Sequence, residues 1–157
     1  MNPGTDPRHP LVGSWQLERW VSVGDDGSEA EPLGASPEGL LTYAPDGTMI
    51  TVIGRPIAER PRFASGDLTG GTTDERAGAC STFIAYGGRW STDGEVVVHD
   101  VAMSLFPNWV GSTQRRRFEL SAAETRLTLA APPIEVGGVT RVQRLTWARR
   151  GERSGMR

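Results

Sequence analysis

Residues 39–54, GLLTYAPDGTMITVIG, hold the pattern that most narrows the fold. Two short apolar-rich runs flank Ala-Pro-Asp-Gly. Side chains on a strand alternate between faces, so such runs bury one face. Pro presets one turn dihedral, and Gly accepts the left-handed conformation that tight turns demand. The stretch predicts a β-hairpin with Leu41 and Tyr43 in phase.

The same punctuation recurs. Strands are expected at 13–22, 39–43, 48–54, 82–90, 95–106, 112–120, 125–131 and 139–150, with Ser-Thr-Asp-Gly at 91–94 forming a second hairpin turn. Residues 24–38 read as a loop. Thr72 and Glu75 match a capping box, so 72–81 is expected as one short helix. Eight or more consecutive antiparallel strands favour an all-β, up-and-down barrel, because closure removes exposed edges. An open sandwich is the alternative. The segment 55–81 is long for a strand connection and is expected to be a lid or a plug.

At 157 residues the chain suits one domain, placed here at 11–150, with tails at 1–10 and 151–157. The net charge of −2 argues against a nucleic-acid module, and all 17 basic residues are arginine. A single cysteine, Cys80, excludes an internal disulfide and has no nearby His or second Cys to activate it. No apolar run is long enough for a membrane helix, and residues 1–10 lack the apolar core of a signal peptide. A cytoplasmic protein is the default expectation, with a homodimer as one possible assembly.

Strand phase separates inside from outside. On 95–106, Val97, Val101, Met103 and Leu105 share a face with His99. On 112–120, Phe118 and Leu120 mark the inner face. Counting back by two brings Arg116 and Gln114 inside and leaves Arg115 and Arg117 outside. On 82–90, Ile84, Tyr86 and Trp90 are in phase, and on the last strand Leu145 and Trp147. An unpaired buried guanidinium is costly, so an inward Arg116 implies a carboxylate, water, or an anionic or carbonyl-bearing ligand. An apolar cavity with a few convergent polar groups is the usual form of a small-molecule site.

The pieces LVGSWQL at 11–17, GLLTYAPDGTM at 39–49, RPRFASGDL at 60–68, AYGGRW at 85–90, VHDVAMSLFPNWVGSTQRRRFEL at 98–120 and RLTW at 144–147 resemble the lipocalin-like domain family of the calycin superfamily. The resemblance implies an eight- to ten-stranded barrel with an interior cavity, with Trp15 closing one end under Arg149. Some such barrels cyclise polyketide-type intermediates, and others only carry ligands.

Three functions follow as expectations, the third being a structural or interaction module whose barrel is filled by side chains. The first is a cofactor-free cyclisation, isomerisation or dehydration of a hydrophobic, oxygenated intermediate. In it Arg116 and Gln114 polarise a carbonyl, and His99 with Tyr86 moves a proton. Tyr43, Trp90, Met103, Phe118 and Trp109 line the ligand. The second is a carrier using the same cavity without chemistry. Each residue also has a structural reading: His99 as a satisfied core histidine, Arg116 with Gln114 as a cross-barrel network, the aromatics as core, and Trp109 as part of the Phe-Pro-Asn-Trp-Val-Gly turn. No metal is expected, since the only other histidine, His9, lies in the polar tail.

Overall fold

The computed structural model describes residues 6–151. Residues 1–5 and 152–157 of the expected tails lie outside the described residues. Ten strands follow in order: β1 (Gly13–Gly24), β2 (Glu29–Ala30), β3 (Glu38–Tyr43), β4 (Thr48–Gly54), β5 (Phe83–Asp93), β6 (Val96–Ser104), β7 (Thr113–Leu120), β8 (Arg126–Ala130), β9 (Ile134–Val136) and β10 (Val139–Arg149). All pairings are antiparallel, in the order β2-β1-β3-β4-β5-β6-β7-β8-β10-β9, and β1 also pairs β10. That last pairing closes an eight-stranded barrel. The two-residue β2 and three-residue β9 are rim additions within segments that carry no strand signal of their own.

The turns form as the sequence dictates. Ala44–Gly47 joins β3 to β4, with Gly47 at φ 89° and the Asp46 carboxylate accepting from the Thr48 amide at 2.8 Å. Gly94 takes φ 61° between β5 and β6. Helix α1 (Thr73–Ser81) starts at a complete capping box, Thr72 accepting from the Glu75 amide and Glu75 from the Thr72 amide. No side chain from 55 to 81 is buried. The segment borders the rim where β4 ends and β5 begins, without filling the barrel. None of the described helices is long and apolar enough to cross a membrane.

The barrel is packed unevenly. Around the start of β1, Leu11, Trp15, Tyr43, Met49, Trp90, Val97, Leu127 and Trp147 are all buried to within 2% of complete. Arg149 seals this end. Its guanidinium lies 4.2 Å over the Trp15 ring and donates to the carbonyls of Val12 and Pro10, with Nε donating to that of Glu124. Residues 6–10, expected as a frayed tail, instead turn across this end. His9 stacks edge-on to Trp90 at 5.8 Å and to Phe118 at 6.1 Å. Toward the opposite end the inward residues Trp20, Ile84, Gln114, Arg116 and Leu145 are only half-buried.

One expectation about phase is corrected. Val97, His99 and Val101 face inward, but Met103 is 76% exposed and Leu105 is also on the outside. Gly87 pairs with Met103 while the next residue, Gly88, pairs with Val101, so Ala102 is an extra residue on β6. Such a bulge reverses the side-chain alternation beyond it. The glycine is required: a Cβ on Gly88 would collide with the Asp100 carbonyl oxygen. The reversal turns Met103 and Leu105 outward, where with Ile50 of β4 they lie along a shallow apolar groove on the outside of β4–β6. A second bulge, at Glu18 on β1, shifts the pairing from Leu17–Trp147 to Arg19–Thr146 and brings Trp20 inward opposite Leu145.

Candidate ligand-binding site

Three strands bring three polar side chains together in the middle of the barrel. His99 on β6 is 1% exposed. Its Nε2 lies 2.7 Å from the Tyr43 hydroxyl, at the end of β3, and its Nδ1 lies 2.9 Å from the Tyr86 hydroxyl on β5. Each ring nitrogen therefore has a tyrosine partner. Tyr43 is fully buried, with its ring 4.9 Å from Trp90, on the closed side of the histidine. Tyr86 lies on the more open side, with Trp109 edge-on at 5.5 Å. Trp109 itself is half-buried in a one-turn 3-10 helix, Pro107–Trp109, between β6 and β7.

Strand β7 supplies the charge. Its alternation is regular: Gln114, Arg116, Phe118 and Leu120 are half-buried, and Thr113, Arg115, Arg117 and Glu119 are exposed. Gln114 pairs with His99 and Arg116 with Val97 across the β6–β7 ladder. Arg115 and Arg117 reach outside to Asp93 at 2.8 Å and Glu95 at 2.9 Å. Arg116 turns the other way. Its Nη2 donates to Gln114 Oε1 at 2.6 Å, and its Nη1 to the Arg115 carbonyl at 3.2 Å. Among the described residues no carboxylate lies within ion-pair distance of it.

The electrostatics follow from burial and this one cation. Desolvation holds the His99 imidazole down to about 3, and the Arg116 guanidinium pushes the same way. Burial raises the Tyr43 phenol well above its ordinary value; Tyr86 adds to this and Arg116 opposes it. Tyr86 is also raised by burial, against the positive charge of nearby Arg116. At neutral pH the trio is uncharged, beside a guanidinium with no carboxylate partner among the described residues.

The chain matches the family model described as a lipocalin-like domain over residues 12–150. This protein belongs to the lipocalin-like domain family. It is also 32% identical over 95 residues to the 4'-hydroxy-3'-methoxypropiophenone carrier protein of Aspergillus oryzae, a match covering 55% of this chain and 85% of that protein. A lipocalin-like barrel with one tightly packed end and one looser end is thus the frame that holds the trio and Arg116.

Of the residues singled out from sequence, the fold brings His99, Tyr43, Tyr86, Arg116 and Gln114 into one cluster. Trp109 lies against Tyr86. Trp90 and Phe118 sit lower, toward the closed end, where both meet His9. Met103 is removed from the site by the bulge. Two interior features had no place in the sequence reading. Trp20 donates to Gln143 Oε1, whose amide donates on to the Ser22 hydroxyl, both at 2.9 Å. Trp147 Nε1 is buried without a partner among the described residues. Its position on the inner face was readable from phase; the missing partner was not, since it depends on every strand around it.

Proposed function

We propose that this protein binds a hydrophobic, oxygenated aromatic small molecule in the looser half of its barrel and carries it unchanged. The observation that supports this most directly is Arg116. It is an inward guanidinium without a carboxylate partner among the described residues, near Tyr86 and flanked by half-buried apolar and aromatic side chains. That arrangement suits a ligand whose body is apolar and whose oxygen meets Arg116 and Tyr86. The similarity to a propiophenone carrier points to the same ligand class, an aryl ketone.

A cofactor-free cyclisation, isomerisation or dehydration is the second reading, favoured by the same pair of donors. Arg116 and Tyr86 would stabilise an enolate formed from a bound ketone. His99 is a poor base for that step. Its imidazole is held to about 3 and both nitrogens are engaged by tyrosines, so proton removal at neutral pH would have to come from another group.

The test is titration with 4'-hydroxy-3'-methoxypropiophenone, followed by intrinsic tryptophan fluorescence and by mass spectrometry of the recovered ligand. Saturable binding with unchanged mass and retention time supports the carrier. A converted product supports the enzyme. An absence of saturable binding for this ketone and for a panel of other aryl ketones would remove both readings.

A further inference from the structure

We propose that Tyr43 and His99 form a positioning relay that leaves the Tyr86 O–H free to donate, so that Tyr86 and Arg116 together select a ligand by its hydrogen-bond acceptor. This rests on the interior binding site described above.

A neutral imidazole carries one N–H donor and one bare nitrogen acceptor. With a tyrosine on each nitrogen of His99, two proton orders are available. In the first, Tyr43 donates to Nε2 and Nδ1–H donates to the Tyr86 oxygen. In the second, Nε2–H donates to Tyr43 and Tyr86 donates to Nδ1. The orders differ in which tyrosine keeps an unused hydrogen.

Burial decides between them. Tyr43 is 0% exposed and, among the described residues, its hydroxyl has no partner other than His99. The second order would strand its hydrogen among apolar side chains, which costs about 1–3 kcal/mol for a buried donor. The first order strands nothing at Tyr43. The hydrogen left over then belongs to Tyr86, the less buried of the two tyrosines at 9% exposed, within reach of the charge of Arg116. The first order is therefore favoured, and His99 is the Nδ1–H tautomer.

The consequence is a polar face made of donors. In this order the Tyr86 oxygen accepts from Nδ1–H of His99 while its own hydrogen is free, beside the positive charge of Arg116. Gln114 Oε1 is taken by Arg116. Such a face accepts a ketone, ester, phenolate or carboxylate oxygen. It leaves an ammonium or other donor-only group unmatched, and buried polar groups left unmatched are what give such sites their strongest discrimination.

Two measurements test this. Long-range proton–nitrogen NMR on the ligand-free protein at neutral pH reads the tautomer directly. The chain has two histidines, so a His9→Gln variant assigns the signals. The expected result is Nδ1–H at His99, with Nε2–H appearing in Tyr43→Phe, where Tyr86 can turn its proton to Nδ1. Nε2–H at His99 in the unaltered protein overturns the relay.

The second measurement compares the affinity of the aryl ketone probe with that of its analogue bearing CH2 in place of the carbonyl. The unaltered protein should prefer the ketone about tenfold. Tyr86→Phe and Tyr43→Phe should each remove most of that preference and leave the analogue's affinity unchanged. A purely structural Tyr43 would weaken both compounds alike and contradict the proposal. Equal affinity of the unaltered protein for both compounds would refute the donor readout while interior binding stood. If neither compound binds, the binding reading fails, and the NMR result still decides the proton order.

Discussion

The guanidinium of Arg149 lies 4.2 Å over the ring of Trp15 and reaches the carbonyls of Pro10, Val12 and Glu124. One side chain thus holds the first strand, the last strand, the β7–β8 turn and the segment before β1 at a single point. Removing it leaves three carbonyls short of a charged donor and uncovers an indole. Arg149→Ala is expected to lower stability by about 2–4 kcal/mol. Arg149→Lys should recover only part of this, because an ammonium cannot span the same carbonyls while lying flat on the ring. Chemical denaturation of both variants checks the order.

The bulge at Ala102 yields a graded prediction for two neighbouring glycines. A Cβ at Gly88 collides with backbone, the Asp100 carbonyl, whereas one at Gly87 would stand 3.0 Å from the Met49 carbonyl oxygen and near the Ile50 side chain. Gly88→Ala is expected to destabilise by roughly 2 kcal/mol or more, and Gly87→Ala by clearly less. Equal effects in urea denaturation would mean that the bulge is not fixed by Gly88.

His99 sets the acid side of the stability profile. Its folded-state value, about 3, lies below the ordinary 6.5. Below 6.5 the unfolded chain takes up a proton that the folded protein refuses. The stability contribution is therefore complete above 6.5 and falls as pH drops toward 3, by roughly 1.4 kcal/mol per pH unit. The depressed carboxylates Asp6, Asp26, Asp46, Asp67 and Glu75 act in the same sense, but only below their ordinary values of 3.8 to 4.5. His9 is also lowered by burial and is constant in the comparison. A His99→Gln variant should be less stable at neutral pH yet show a flatter profile between pH 6.5 and 4.5, measured by denaturation at fixed pH steps.

Much of this was readable along the chain. Alternation and the Pro-Asp-Gly and Thr-Asp-Gly turns gave the hairpins; Thr72 and Glu75 gave the start of α1. Phase alone divided the arginine triplet, sending Arg116 inward and its neighbours to Asp93 and Glu95. What stayed hidden was non-local or broke the period. The Gly-Gly at 87–88 was the available sign of a bulge, since glycine inside a strand marks close backbone approach. A single extra residue was enough to turn Met103 outward. His9 gave no periodic signal and finds its place only once Trp90 and Phe118 are assembled beneath it. The bonding of Tyr43 to His99 joins residues 56 positions apart on strands that do not pair, so no local pattern encodes it.

The most direct test of the account is the affinity of an aryl ketone for the unaltered protein and for Arg116→Gln, measured by titration calorimetry. Arg116 is half-buried and pairs with no carboxylate among the described residues, so the variant should still fold, as its melting profile will check. The account predicts one saturable site whose affinity falls about tenfold or more when Arg116 is replaced. Equal affinity in the two folded proteins would contradict it.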